Sequence, residues 1–205
     1  YTVSYSANTK VGTVEVTITG TGSYFGEIKS SFDILPAKQQ IQKLETRFKG
    51  FFIDWAQKGS ATGYEIEYST NADFKDSTVK KLTANKPDTL TISGLTAGNK
   101  YYVRVRSYTN VGENVYYGAW SDSKNVTAAK YDITKSAISG ISTKTYTGKN
   151  ITQSVKVKYN GKTLKSGTDY TVSYSSNKNV GTATVKITGK GQYGGTVSKT
   201  FKINP

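Results

Sequence analysis

The chain has no cysteine, no histidine and no methionine, and only three prolines and two tryptophans in 205 residues. Lack of cysteine removes disulfides, thiolate nucleophiles and Cys-ligated zinc; lack of histidine removes the commonest general base and the commonest transition-metal ligand. Most enzyme chemistries thereby lose their usual residues. The sequence predicts a non-catalytic protein, with no catalytic residue, no metal site and no cofactor. No apolar run is long enough to cross a bilayer, so membrane insertion of this stretch is not expected. An amphipathic helical period is missing as well. The chain starts at Tyr1 without an initiator methionine or a signal peptide, and reads as an excerpt of a longer protein.

What remains is β-forming. Thr, Ser, Tyr, Val, Asn and Gly dominate, in short alternating runs separated by glycine-containing turns, which predicts an all-β protein. The length fits one large domain or two to three small ones. The net charge of +14 is uneven, at −1 over residues 1–36, +4 over 37–129 and +11 over 130–205. The last third contains no arginine. With no aromatic-and-basic recognition motif either, no nucleic-acid partner is expected.

The two ends of the chain repeat each other. Residues 1–36, YTVSYSANTKVGTVEVTITGTGSYFGEIKSSFDILP, align without a gap to 170–205, YTVSYSSNKNVGTATVKITGKGQYGGTVSKTFKINP, with 20 identities in 36 positions. The second copy follows some 40 residues of the same module, beginning at Lys130. Residues 1–36 therefore read as the back half of a module and 130–205 as a complete one. In the complete copy Val155, Val157 and Tyr159 alternate with Lys156 and Lys158. Asn160-Gly161 is the dipeptide favoured in a two-residue type I′ hairpin, so two strands are expected to meet there.

Residues 37–129 form a third segment. Within it Leu90 and Ile92 alternate with Thr89 and Thr91, Gly94 to Gly98 make a turn, and Tyr101, Val103 and Val105 alternate with Tyr102, Arg104 and Arg106. Further strands are predicted around Ile41 and Leu44, at Phe52 to Trp55, over Tyr64, Ile66 and Tyr68, at Val79 to Thr83 and at Lys124 to Ala128. The six-residue spacing from Leu95 to Tyr101 lets a tyrosine at the head of a strand reach back to the turn. This segment resembles a fibronectin type III domain, in which Ala97 stands where the family usually has proline; the resemblance implies a sandwich with Trp55 in its core. The flanking copies, with DYTVSYS and GTATVKITGKGQY, resemble the small all-β repeats of Gram-positive bacterial surface proteins. An Ig-like sandwich is the first expectation for their fold and a β-grasp without an evident helix the second. Short junctions at Pro36-Ala37 and Ala128–Tyr131 predict tandem small β-sandwich domains in an extended rod.

Candidate sites are few. Glu65 and Glu67 share one strand face, a spacing that admits acid–base chemistry on a glycoside. Outward Arg104 and Arg106 on a neighbouring strand instead predict cross-strand pairs, worth roughly 0.2–1 kcal/mol each if exposed. Gly189 to Gly195 has the glycine spacing of a phosphate loop but no helix after it, and reads as a turn. Lys156, Lys158 and Lys186 occupy outward strand positions and offer a basic surface to an anionic polymer; edge protection explains them equally well. Tyr116 and Tyr117 fall in the stretch Thr109–Ser121, expected to be a loop where aromatic rings contact sugars or a protein. The expected role is a structural and adhesive stalk segment of a cell-wall-attached or secreted protein. Cell-wall or host glycans, anionic polymers or surface proteins are the expected partners. The apolar face of residues 1–36 (Val3, Tyr5, Val16, Ile18, Phe32, Ile34) needs a cover, and a homodimer through 1–36 is the expected one.

Overall fold

A computed structural model describes all residues 1–205. Alternating sequence becomes strand almost throughout, because a period of two puts one set of side chains on a buried face and the other in water. In chain order the strands are β1 (Thr2–Tyr5), β2 (Gly12–Thr19), β3 (Glu27–Ile34), β4 (Ile41–Arg47), β5 (Gly50–Trp55), β6 (Gly63–Ser69) and β7 (Thr78–Leu82). There follow β8 (Thr89–Ile92), β9 (Lys100–Val111), β10 (Asn114–Tyr117), β11 (Lys124–Thr127), β12 (Tyr131–Asp132) and β13 (Ala137–Ser139). The chain ends with β14 (Lys144–Thr145), β15 (Lys156–Tyr159), β16 (Lys162–Thr163), β17 (Tyr170–Ser175), β18 (Gly181–Gly189), β19 (Tyr193–Gly194) and β20 (Thr196–Asn204). The single helical element is a 3-10 turn at Ile133–Lys135. No helix is long and apolar enough to cross a membrane.

Two compact units result, Tyr1–Leu95 with Asn99–Ala128, and Thr96–Gly98 with Ala129–Pro205. In the first, β1, β2 and β3 form an antiparallel meander, in the order β1-β2-β3. The rest is a sandwich of the sheet β4-β5-β8 against the sheet β10-β9-β6-β7, with β11 also paired to β9. Phe51, Ile53 and Trp55 of β5 meet Tyr64, Ile66, Val103 and Val105 of β6 and β9, all seven fully buried. The Trp55 and Tyr64 rings lie 5.3 Å apart. Trp55 is thus a core residue, as the resemblance implied.

The stretch expected as a loop, Thr109–Ser121, is largely strand. β9 continues to Val111, turns at Gly112-Glu113 and returns as β10, with Asn114 opposite Val111 and Tyr117 opposite Tyr108. Gly112 adopts φ +60°, a left-handed conformation that glycine takes without penalty. The edge strand beside β9 is therefore split into β10 and β11. Between the two, Gly118 and Ser121 still donate backbone hydrogen bonds to Ser107 and Val105 at 3.0 and 2.8 Å, so the interruption carries Trp120 without releasing the edge.

The second unit packs the sheet β13-β15-β16 against the sheet β14-β20-β18-β17, with β12 paired in parallel to β19. Ile133, Val157, Ala183, Val185 and Ile187 are fully buried in its core. Asn160 and Gly161 take φ of +46° and +80° and join β15 to β16, with Tyr159 opposite Lys162, in agreement with the hairpin read from the sequence. The two layers pack face to face, and the second unit includes two parallel strand pairs, β12–β19 and β14–β20.

Candidate functional site

Strand β9 builds the most organised polar site. Its inward residues Tyr101, Val103 and Val105 are fixed in the core, which obliges Arg104 and Arg106 to point outward over β6. Register places Glu67 opposite Arg104 and Glu65 opposite Arg106. Arg104 Nε donates to Glu67 Oε2 at 2.6 Å, and Arg106 donates through Nε and Nη2 to Glu65 Oε2 at 2.9 and 2.7 Å. Lys81 Nζ approaches Glu65 Oε1 at 3.8 Å, and Ser77 Oγ donates to Glu67 Oε1.

Aromatic rings cover these pairs. The Arg104 guanidinium lies 4.0 Å from the Phe74 ring centroid and 4.8 Å from that of Trp120. Arg106 lies 4.3 Å from Trp120 and 4.1 Å from Tyr117. Lys81 Nζ then sits 5.8 Å from Tyr117 and 4.3 Å from Tyr108. The outcome is an alternating ladder, Phe74, Arg104, Trp120, Arg106, Tyr117, Lys81, Tyr108. It corrects the expectation of exposed pairs, because Glu65 and Glu67 are each only 7% exposed. Both carboxylates are held by guanidinium groups under a roof of rings, an arrangement suited to rigidity and not to proton transfer on a substrate.

Sequence reasoning found the two pairs and missed Phe74 and Lys81. Phe74 lies in a loop, at φ +62°, a conformation uncommon for a bulky residue. Hydrogen bonds to the Lys75 carbonyl from Ser69 Oγ at 2.7 Å and Asn71 Nδ2 at 3.1 Å hold that loop, and the ring stacks on Arg104. The available signal was indirect: two outward arginines with carboxylate partners still present two flat faces each that favour aromatic rings.

The five proposed contact residues do not converge. Tyr116 is buried, and its Oη lies 2.8 Å from Thr13 Oγ1. Tyr117 is half-buried within the ladder. Lys156 and Lys158 flank buried Val157 and point outward from the β13-β15-β16 sheet. Lys186, between buried Val185 and Ile187, points outward from the other sheet of that sandwich. The lysines thus lie on opposite outer faces rather than one basic surface. Gly189 and Gly195 close a turn through a 3.0 Å backbone hydrogen bond, as the sequence suggested. No group of three or more Asp, Glu, His or Cys side chains is placed to hold a metal ion.

The first-copy sheet presents the second feature of note. Val14 is fully buried, near the Thr13–Tyr116 contact, so the short Pro36-Ala37 junction allows this end of the sheet to reach β10. The remainder of its apolar face is open: Val3, Tyr5, Ile18 and Phe32 are all exposed, as are Tyr24 and Phe25 beside it.

A sandwich of this topology, with a buried tryptophan on its second strand, is a known class of β-domain. Residues 43–119 match the family model of the fibronectin type III domain, and the middle segment of the chain is such a domain. Among solved structures, the solution structure of the fn3 domain of human contactin 1 is similar, at 14% identity and a TM-score of 0.41, over 54% of this chain and 93% of that one. No relative is found among curated proteins.

Proposed function

We propose that this chain is a non-catalytic structural and adhesive segment of a modular bacterial protein, secreted or attached to the cell wall, in which small β-modules space or display other domains. The observation that carries this reading is the ladder: the one pair of carboxylates spaced for chemistry is locked beneath Trp120, Phe74 and Tyr117 by two arginines. Support also comes from the repetition of one module on both sides of the fibronectin type III domain, since series of like modules serve as spacers. Glycan binding through Tyr116 or Tyr117 has less support, with one ring buried and the other engaged by Arg106. Binding of a cell-wall polyanion by Lys156, Lys158 and Lys186 has less support too, since they face opposite ways.

Antibodies raised against residues 37–129 test the location. Intact producing cells or their medium should carry the antigen, and protease added outside should remove it from the cells. Antigen confined to the cytosolic fraction would overturn the reading.

A further inference from the structure

The complete module shows what covers the back half of this fold. There β12 pairs in parallel with β19, setting Tyr131 opposite Tyr193 and Asp132 opposite Gly194, and the Tyr131 amide donates to the Gln192 carbonyl at 2.8 Å. The Tyr131 ring lies 5.4 Å from that of Tyr193. Ile133 follows into the core with Val157 and Leu164, and beneath this layer Ile187 is 0%, Phe201 5% and Tyr193 5% exposed.

The corresponding residues of the first copy are Ile18, Phe32 and Tyr24, and they are 36%, 45% and 80% exposed. Their strands keep the same register: Val3, Ile18 and Ile28 lie side by side as Val172, Ile187 and Val197 do. An open cleft of about 480 Å³ lies among Tyr1, Ile18, Gly20, Tyr24, Gly26 and Ile28. By alignment these are Tyr170, Ile187, Gly189, Tyr193, Gly195 and Val197, of which Tyr193 packs on Tyr131 and Gly195 lies against Asp132 and Ile133 in the complete module. Phe25 and Glu27 also line the cleft, where the complete module has Gly194 and Thr196, so the match lies in the apolar floor and in Tyr24.

We propose that the β1–β2–β3 face is an acceptor for a polypeptide segment of the module-front type, represented by residues 130–169. The segment enters beside Tyr24 as a parallel strand and lays its apolar residues over Ile18, Val16 and Phe32. Long-range charge separates the two copies. Residues 130–169 carry eight lysines against Asp132 and Asp169, and the back half they cover, 170–205, carries five lysines and no acid, whereas residues 1–36 carry two lysines against three acids. Glu15, Glu27 and Asp33 lie on the sheet face away from Ile18 and Phe32, so a basic front segment meets less repulsion on the first copy without pairing to them, and the difference weakens as salt is added. Strand addition supplies affinity through backbone hydrogen bonds, and the pockets for alternate side chains supply selectivity.

The test is backbone hydrogen exchange on the full chain 1–205, at low and at high salt, with a synthetic peptide of residues 130–169 as the probe. Saturable slowing by about tenfold or more is expected across residues 16–19 and 24–32, as for any strand newly covered. The Ile18→Lys variant should lose it. Because that variant can disturb the meander itself, Tyr24→Ala, a change at an exposed ring, is the second arm and should weaken peptide binding about tenfold. A peptide of the same composition in scrambled order should do nothing. Slowing confined to residues 170–205 would overturn the proposal, since the peptide would then be exchanging into its own module. Slowing at 1–36 that rises with protein concentration, needs no peptide and leaves exchange at residues 130–169 unchanged would also overturn it, by covering the face with the β1–β2–β3 sheet of a second copy instead of a module-front segment. Absence of any slowing at 1–36 would do the same.

Discussion

At the residue scale, the ladder ties two buried carboxylates to two arginines and four rings, so its parts are unequal under substitution. Arg106→Ala leaves Glu65, nearly buried, with only Lys81 at 3.8 Å and parts the Trp120 and Tyr117 rings from the plane between them. A loss of about 3 kcal/mol in the stability of the fibronectin type III domain is expected, since a buried ion is left with a weak partner. Arg106→Lys should recover only part, because an ammonium keeps the charge without the fork or the flat face. Replacing Glu65 and Arg106 together by leucine should cost less than Arg106→Ala alone; urea titration of the three variants checks the order. A second residue-scale expectation concerns pH. Asp132 Oδ1 accepts from the Thr134 hydroxyl at 2.7 Å and from the Thr134 amide at 3.0 Å, which holds its carboxyl below the ordinary value of 3.8. A carboxyl depressed on folding stabilises the fold fully above its unfolded pKa, and that help fades as pH falls through the folded value. Asp132→Asn should therefore lower the midpoint of the 130–205 module near neutral pH, and the gap from the parent chain should close below the ordinary carboxyl range.

At the scale of elements, β5 and β8 show how close the backbones come. A side chain at Gly50 would place its Cβ 1.9 Å from the Ile92 carbonyl oxygen across the β5–β8 pair. The obstacle is backbone, so it cannot swing aside. Gly50→Ala should cost about 3 kcal/mol, measured as a shift of the denaturant midpoint, whereas Gly59→Ala, with open space around it, should be nearly silent. The strands themselves were legible in the sequence wherever an alternating run buries one face: Phe52 to Trp55, Tyr64 to Tyr68 and Tyr101 to Val105 all lie where the period of two put them. The β9–β10 hairpin was not. Its outer positions Val111 and Val115 are exposed, so no buried face marks the pattern, and glycines at 112 and 118 resemble those of a loop. The pairs Glu65–Arg106 and Glu67–Arg104 were legible because antiparallel register alone brings them together. Their burial was not, because it depends on Trp120 and Phe74 arriving from segments outside the paired strands.

At the scale of the whole molecule, the repeat between residues 1–36 and 170–205 carried the most information, since the complete copy displays the cover that the first copy's exposed face lacks. What the alignment alone did not give was the cleft beside Tyr24, past the C-terminal end of β2, or the contact of Thr13 with Tyr116, where β2 begins beside β10. The position of the two tryptophans has one further consequence. Trp55 is sealed in the core of the fibronectin type III domain and Trp120 is clasped between two guanidinium groups near its surface, while residues 1–36 and 130–205 have tyrosine but no indole. Light absorbed by indole alone therefore reads the middle domain out of the full chain, and an ionic quencher separates its two signals: the intrinsic fluorescence is already a site-specific label, with one dye in the core and one on the ladder.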